Sequence, residues 1–286
     1  MNCNFCYIYS RLISLYFMTL CNNRFNYIIK FIPYNKIRHV NCSLIHLSNF
    51  YMLASTKEQL KVTSTPTIAT ILYKLGLRNQ FIQGVKPLAL GKPNMVGEAF
   101  TLRYIPARED LNPISVFMNP EHPQRVAVET CPEGAVLVMD SRKSARAASA
   151  GSILVTRLMV RGAAGIVTDG GFRDSSVIAA LPFPSFHNTP SAPTNLTLNQ
   201  ALDINVPIGC GDVAVFPGDI IVGDDDGVMV IPAQLADKVA EEAKKMELYE
   251  EYVTEKVAGG FSIIGLYPLT SEDVKLDFEK WKKKKI

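Results

Sequence analysis

The chain has 286 residues, of which 48% are hydrophobic and 20% charged, so it can build a sizeable core and is not a wholly disordered protein. Its net charge of +3 is uneven, because residues 1–51 hold five basic side chains and no acidic one. The rest carries 25 basic against 27 acidic side chains, so its charge does not indicate a nucleic-acid-binding surface. The sequence contains no apolar run of 18 or more residues, so a membrane-spanning helix is not predicted.

Residues 1–51 differ in composition from everything that follows. They are rich in Phe, Tyr and Asn, and they hold four of the six cysteines. Three interpretations are open: a secretory signal around residues 12–21, an organelle transit peptide, or translated upstream DNA ahead of a true start at Met52. We favour the third and expect a non-native or disordered leader. Cys3 and Cys6 form a CxxC without a second matching pair, so a zinc site is not predicted.

The main part of the chain contains only two cysteines, Cys131 and Cys210. This low usage is typical of a reducing intracellular setting and not of a disulfide-linked secreted domain. We therefore expect a cytoplasmic protein.

The main part alternates helices with short strands. The pattern first predicts a helix from Ser64 to Gly76 that is capped by Thr65, followed by strands at 96–105 and 134–140. A helix at 152–161, a strand at 165–168 and a short helix at 174–181 come next. Short β runs between 204 and 231 precede a long amphipathic helix at 234–257 and a last helix that ends in Lys282–Lys285. This order predicts an α/β fold. We expect a single mixed domain over residues 56–260, with a curved β core flanked by helices, and a helical extension over 261–286. GxGxxG and P-loop motifs are absent, so nucleotide binding is not predicted.

The most informative stretch lies between Gly151 and Asp174. It reads as a glycine, a helix, a buried strand, a glycine turn and two adjacent opposite charges, Arg173 and Asp174. The first N–H groups of a helix have no intrahelical partner, so the helix start after Ala150 predicts an anion site suited to a carboxylate. The strand and turn place Arg173 and Asp174 near the same end of this unit.

Together these groups suit a 2-keto acid substrate. A guanidinium can hold an oxyanion, and Mg²⁺ needs only one or two protein carboxylates because it keeps water and substrate oxygens as ligands. The pattern therefore predicts enolate chemistry, in which positive charge stabilises the electrons left when a C–C bond breaks. Two structural interpretations compete: Asp174 as the cap of the following helix, and Arg173 as a surface ion-pair partner.

Other polar residues are typical of structure. Asp224–Asp226, followed by glycine between two β runs, predicts a hairpin turn. Asp212 and Asp219 each follow a glycine and are interpreted as turn residues. His122 and His187 fit no ligand spacing, so we expect surface or loop positions for both.

Two segments resemble the RraA-like family: Arg161–Asp174, which reads RGAAGIVTDGGFRD, and Phe216–Pro232, which reads FPGDIIVGDDDGVMVIP. This family joins the regulator of ribonuclease activity A with class II 4-hydroxy-4-methyl-2-oxoglutarate aldolases, and some members carry a dimethylmenaquinone methyltransferase name. The similarity covers roughly residues 60–258, and residues 191–199 look like those of a longer subgroup. The resemblance implies a swivelling β/β/α fold, a homotrimer or dimer of trimers, a Mg²⁺ or Mn²⁺ cofactor, and no direct nucleic-acid or membrane partner.

The resemblance also implies roles for individual residues. Those that match the family's site are the substrate-carboxylate loop Gly151, Ser152, Ile153 and Leu154, the substrate-binding Arg173 and the metal ligand Asp174. In the family motif twenty residues separate an acid from the Arg-Asp pair, and this chain has Ser152 at the position of the acid. In the aldolases that carboxylate orients a water used in proton transfer, whereas serine is a poor base near neutral pH. We expect aldol cleavage to be weak, to use another base, or to give way to oxaloacetate decarboxylation.

Three functions are open. The first is a divalent-metal-dependent lyase that cleaves or decarboxylates a small 2-keto acid through pyruvate enolate, with Arg173 and Ser152 as catalytic residues. The second is a non-catalytic regulator that binds an RNA-degrading endonuclease, which the serine at position 152 favours and the retained Arg173–Asp174 pair disfavours. The third, ranked last, is a Schiff-base aldolase that uses Lys143, whose polar neighbours indicate exposure.

Overall fold

The computed structural model describes residues 52–285, together with the backbone of four short strands between residues 17 and 32. The chain divides into two compact units, residues 1–49 and 50–286. The strands of the first unit are β1 (Phe17–Thr19), β2 (Asn22–Asn23), β3 (Asn26–Tyr27) and β4 (Lys30–Ile32), with β1 antiparallel to β4 and β2 to β3. The interpretation of the leader and the Cys3–Cys6 pattern rest on residues outside the described ones.

The second unit alternates helices and strands. Its helices are α1 (Ala54–Val62), α2 (Thr65–Lys74), α3 (Pro123–Thr130), α4 (Ser152–Val160), α5 (Ser175–Ala180), α6 (Ala236–Ala258) and α7 (Glu272–Lys285). Its strands are β5 (Lys86–Pro87), β6 (Met95–Pro106), β7 (Val136–Asp140), β8 (Ala148–Ala150), β9 (Gly165–Thr168), β10 (Gly171–Phe172), β11 (Ser185–His187), β12 (Thr189–Pro190), β13 (Asn199–Ile204), β14 (Ile208–Cys210), β15 (Val213–Val215), β16 (Ile220–Asp224) and β17 (Gly227–Ile231).

The largest sheet is mixed and curls until its edges almost meet. Its order is β17-β16-β6-β7-β9-β11-β5, and β13 also pairs with β6. Strands β6, β7, β9 and β11 run parallel, whereas β13, β16 and β17 join through antiparallel pairs. Residues 80–82 hydrogen-bond to β17, through Ile82 N to Val228 O at 2.9 Å, and the same segment leads into β5 beside β11. The sheet is thus nearly closed, which confirms the predicted curved β core.

The alternation of side chains along the buried strands builds two sides of the core. In β7, Leu137 and Met139 pack with the residues of α3 and α4, while Val136 and Val138 point into the curled sheet. Helices α1, α2 and α6 cover β16 and β17 in a third cluster. Strands covered on both faces read as continuous apolar runs, as β7 does.

Most predicted elements are present, with shifted ends. The helix predicted to be capped by Thr65 is α2, but its cap is Ser64, whose hydroxyl accepts from Thr67 N at 3.3 Å. Thr65 instead donates its N–H and hydroxyl to Asp224, each at 2.7 Å, at the predicted β16–β17 hairpin turn. The short helices α1 and α3 were not predicted.

The expectation of surface or loop positions is wrong for His187, whereas His122 lies outside any helix or strand, directly before α3. His122 and His187 are each only 7% exposed, and His187 belongs to β11. His187 stacks on Phe172 with ring centroids 5.6 Å apart. Within the part of the chain that the structure describes, no helix combines the length and apolar character needed to cross a membrane.

Candidate active site

A small parallel sheet brings Gly151 and Arg173 together. Strands β8 and β10 pair in parallel, with β12 on the far side of β10. Residues that follow parallel strands meet at one edge, so Gly151, after β8, lies beside Arg173, after β10. The N–H of Arg173 donates to Ala150 O at 3.1 Å. The sequence prediction that the helix start and the charged pair share one end is confirmed.

Glycine at position 151 leaves room for the side chains of Arg173 and Asp174. A Cβ atom there would lie 2.8 Å from Cγ of Arg173 and 3.0 Å from Oδ2 of Asp174. The backbone of Gly151 has a φ of −127°, which any residue adopts, so conformation is not the reason. The missing side chain lets Arg173 and Asp174 lie directly over the start of α4.

The carboxylate of Asp174 points toward α4, away from the helix that it precedes. Asp174 occupies the N-cap position of α5 with a left-handed φ of 57°, but its side chain makes no capping hydrogen bond there. Its Oδ2 accepts from the N–H of Ser152 at 3.2 Å and from the Ser152 hydroxyl at 3.1 Å. The carboxylate thus contacts the positive end of the α4 dipole. The interpretation of Asp174 as the cap of the following helix is wrong.

Arg173 and Asp174 form a loose, solvent-accessible pair. Nε of Arg173 lies 3.7 Å from Oδ2 of Asp174, and the two side chains are 51% and 40% exposed. An exposed pair at this distance contributes little stability, about 0–1 kcal/mol. Both charges therefore remain available to a ligand.

The predicted carboxylate loop offers fewer free donors than the sequence indicates. Of its helix-start N–H groups, that of Ser152 is used by Asp174, and that of Leu154 donates to Gly151 O at 3.1 Å. Among residues 52–285 the N–H of Ile153 has no acceptor, and the Ile153 side chain is 84% exposed.

A cavity of about 690 Å³ opens in front of these residues. Its lining combines apolar and charged residues of α3, α4 and β8 with residues from the segments 114–117, 173–174 and 194–195. A second cavity of about 480 Å³ also includes Arg173 and Asp174, and Ser175, Ser176 and Ser191 line its other walls. The charged pair thus borders two open spaces.

Sequence reasoning missed the floor of the larger cavity. The buried Gln124 donates to Ser149 O at 2.6 Å and to the Tyr104 hydroxyl at 3.2 Å. Asn195, 3% exposed, accepts from Gln124 at 3.4 Å. Asn195 belongs to the 191–199 stretch, which the sequence marks only as a subgroup feature. This stretch is held beside β8 because Ala148 N donates to Pro193 O at 2.8 Å. No local motif marks these residues.

The site fits a divalent cation held by one carboxylate. Oδ2 of Asp174 is hydrogen-bonded to Ser152, and Oδ1 takes no hydrogen bond among the described residues, in a side chain that faces both cavities. Within residues 52–285 no three His, Cys, Asp or Glu side chains converge as a preformed metal site. A cation at Asp174 would therefore take its other ligands from water and substrate, as Mg²⁺ commonly does.

Lys143 lies outside both cavities. Its ammonium forms an ion pair with Asp212, and its N–H donates to the buried Asp169 at 3.1 Å. Lys143 therefore does not face the space in which Arg173 and Asp174 would meet a substrate. The geometry does not favour the lysine aldolase.

The domain thus combines a nearly closed mixed α/β sheet with a glycine at a helix start and an adjacent Arg-Asp pair over a cavity. The sequence profile of the RraA-like family, described as Aldolase/RraA, matches residues 65–230. The chain belongs to the RraA-like family.

Individual relatives agree with this assignment. The chain is 41% identical over 119 residues to a putative 4-hydroxy-4-methyl-2-oxoglutarate aldolase of Halalkalibacterium halodurans. This match covers 41% of this chain and 56% of that protein. It is 30% identical over 181 residues to an uncharacterized protein of Methanocaldococcus jannaschii, covering 63% of this chain and 80% of the other. The crystal structure of Streptomyces coelicolor RraAS2, described as an unusual member of the RNase ES inhibitor RraA family, superposes with a TM-score of 0.62 at 29% identity, covering 70% of this chain and 96% of that one.

Proposed function

We propose that this protein is a divalent-metal-dependent carbon–carbon lyase that releases pyruvate from a small 2-keto acid through its enolate. The observation that carries the proposal is the Arg173–Asp174 pair, which is held over Gly151, exposed on both sides and open to a cavity. The aldolase name of the Halalkalibacterium relative supports the same reaction class. We propose Mg²⁺ or Mn²⁺ as the cofactor, Asp174 as its protein ligand, and a homotrimer or dimer of trimers as the assembly.

In this proposal, the residues of the loop and Arg173 bind the pyruvyl unit. The N–H of Ile153 at the start of α4 meets the substrate carboxylate, and the guanidinium of Arg173 meets the keto oxygen. Negative charge grows on that oxygen as the C3–C4 bond breaks, and Arg173 stabilises it. Asp174 would hold the cation, which would supply further positive charge to stabilise the enolate.

Ser152 decides which of two reactions is easier. Its hydroxyl donates to Asp174 at 3.1 Å, so it positions the carboxylate and takes no proton from substrate. Retro-aldol cleavage requires removal of a proton from the C4 hydroxyl, whereas decarboxylation of oxaloacetate does not. We therefore propose that decarboxylation is the faster reaction.

A regulator of an RNA-degrading endonuclease is the second candidate. The similarity to Streptomyces coelicolor RraAS2, together with serine in place of the acid, favours it. A regulator would not need the exposed Arg173–Asp174 pair, and replacing that pair would leave its binding to the endonuclease unchanged.

A coupled assay of pyruvate release tests the proposal. Oxaloacetate and 4-hydroxy-4-methyl-2-oxoglutarate are supplied separately, with Mg²⁺, with Mn²⁺ and with a chelator. We expect metal-dependent pyruvate release that the chelator abolishes and that Arg173→Ala depresses with both substrates. Absence of release above the non-enzymatic rate with either metal would favour the regulator.

A further inference from the structure

The larger cavity holds more cationic groups than a pyruvyl unit uses. Three arginines line it. Arg173 lies beside Asp174, and Arg157 makes hydrogen bonds of 2.8–3.2 Å to Glu129. Arg125 has no ion pair among the described residues, and its hydrogen bond goes to the neutral amide oxygen of Gln124 at 3.3 Å. One cation in this cavity thus has no anion of its own among the residues that the structure describes.

Packing holds the guanidinium of Arg125 in place. Its Cζ atom lies 4.8 Å from the centroid of the Phe117 ring, and His122 packs edge-on against the same ring at 5.1 Å. A guanidinium stacked on an aromatic face keeps its donors directed along its own plane, where a carboxylate can accept two of them. Burial, and then Arg125 itself, lower the pKa of His122, so the positive charge in this corner near pH 7 belongs to Arg125.

Apolar side chains fill the cavity wall next to Arg125. Val128 is on the same helix, α3, while Ile153 and Leu154 come from α4. The lining therefore has three chemical parts: the Arg173–Asp174 pair, an apolar wall, and a second cation on a different helix. A substrate that matches it carries a pyruvyl end, a short carbon chain and another anionic group.

We propose that Arg125 is a specificity-determining residue that binds a second carboxylate of the substrate. The proposal rests on the proposed function for placing the pyruvyl unit at Gly151 and Arg173. A carboxylate accepts two parallel bonds from a guanidinium, and such charge-assisted bonds are the strong ones in proteins. For substrates of five or more carbons, whose second carboxylate is not the group lost as CO2, the site thus selects 2-keto diacids over 2-keto monoacids of the same length.

Binding of two unreactive acids tests this without requiring turnover. 2-Oxoglutarate and 2-oxopentanoate differ only in a carboxylate that replaces a methyl group. We expect calorimetric titration of the full chain with Mg²⁺ to show about 10- to 100-fold tighter binding of the diacid, the usual range for a charged hydrogen bond. Arg125→Met keeps the apolar contact with Phe117 and removes the charge, so it should abolish the preference, while Arg125→Lys should retain part of it.

A paired control separates Arg125 from the other charges of the wall. The double variant Glu129→Gln with Arg157→Gln removes one charge of each sign and leaves the net charge unchanged. We expect the preference for the diacid to persist in it. The proposal is overturned if the double variant loses the preference while Arg125→Met keeps it, if Arg125→Met weakens both acids equally, or if the natural chain shows no preference.

Turnover gives an independent result. With 4-hydroxy-4-methyl-2-oxoglutarate and its monoacid analogue 4-hydroxy-4-methyl-2-oxopentanoate, Arg125→Met should raise KM for the diacid about 10-fold or more and leave kcat/KM for the monoacid unchanged. If neither compound is cleaved but Arg125 still sets the diacid preference in titration, the lyase proposal fails and the carboxylate site stands. If cleavage occurs and Arg125→Met changes both substrates alike, the carboxylate site fails and the lyase stands.

Discussion

Asp169 and Asp174 lie close together in sequence, but their surroundings differ completely. Asp169 is fully buried, and its carboxylate accepts the N–H groups of Ser141, Lys143 and Gly211 at 2.7–3.1 Å. Asp174 is 40% exposed and uses one oxygen on Ser152. The first carboxylate ties two loops to the end of β9, and the second lies open to two cavities.

The difference shows how one residue type serves structure in one place and chemistry in another. Burial raises the pKa of Asp169, and the backbone hydrogen bonds from Gly211 and Ser141 only partly oppose it. A fully buried carboxylate that already accepts three N–H groups has no open side for a ligand. Asp174 keeps an oxygen without a partner among the described residues, which is the requirement for holding a cation. The same substitution of aspartate by asparagine at each of the two positions tests the distinction.

The largest expected effect is loss of activity at the open carboxylate. In Asp174→Asn the amide oxygen can still accept from Ser152, so the fold should persist, but the negative charge for the cation is gone. We expect metal-dependent pyruvate release to fall about 10²- to 10³-fold or more, comparable to the loss of a group that stabilises developing charge. The measurement is kcat/KM with oxaloacetate at saturating Mg²⁺. An Asp174→Asn variant as active as the natural chain would show that Asp174 is not a ligand.

The matching change at the buried carboxylate should act on stability. In Asp169→Asn, three N–H donors face one carbonyl oxygen and one NH₂ group, so at least one buried donor loses its acceptor. That loss costs about 1–3 kcal/mol of unfolding free energy. Urea denaturation of both variants checks the contrast: the Asp169→Asn variant should unfold at a clearly lower urea concentration, and the Asp174→Asn variant within the error of the natural chain.

Parts of this contrast are readable from the sequence. The strand, glycine turn and adjacent charges between Gly165 and Asp174 predicted that Arg173 and Asp174 lie at one end of this unit, whereas the β8–β10 pairing that brings them to Gly151 was not predicted. The direction of the Asp174 side chain was not predictable, since both cap and ligand interpretations fit a residue before a helix. The site also includes Gln124 and Arg125 from α3 and Asn195 from the 191–199 stretch. These residues are distant in sequence from Arg173, and neither hydrophobic periodicity nor a local motif predicts that they meet.

An effect that is absent near neutral pH and grows in acid follows from the histidine behind the site. Burial lowers the pKa of His187 to about 4, and its Nδ1 has no hydrogen-bond partner among the described residues. The folded state therefore prefers the neutral ring. The contribution of His187 to the free energy of unfolding is fully present above the unfolded-state pKa of about 6.5, and roughly 2–3 kcal/mol of it is lost as the pH falls from about 6.5 to about 4. His187→Phe keeps the stacking on Phe172 without titration. Thermal unfolding from pH 7 to pH 4.5 should therefore show a shallower acid dependence in the variant, and identical slopes would refute this account.

The smallest expected effect is a change of preference between two reactions at Ser152. The hydroxyl and the N–H of Ser152 both donate to Asp174. Ser152 occupies the position at which the aldolases of the family have an acid. An acid there can accept the C4 hydroxyl proton, which retro-aldol cleavage needs and decarboxylation does not. A well-placed general base contributes about 10²- to 10⁴-fold, but a base introduced beside Asp174 also meets a like charge, so we expect about a 10-fold gain in aldol cleavage from Ser152→Asp.

Oxaloacetate decarboxylation should change much less in the same variant, since its enolate is stabilised by Arg173 and the cation and not by a base. The ratio of kcat/KM for 4-hydroxy-4-methyl-2-oxoglutarate to that for oxaloacetate is the quantity to compare. Ser152→Ala serves as the control: it removes one hydrogen bond to Asp174 and adds no base, so both reactions should weaken together and the ratio should stay constant. Equal gains for both substrates in Ser152→Asp would mean that the serine limits the position of Asp174 and not proton transfer.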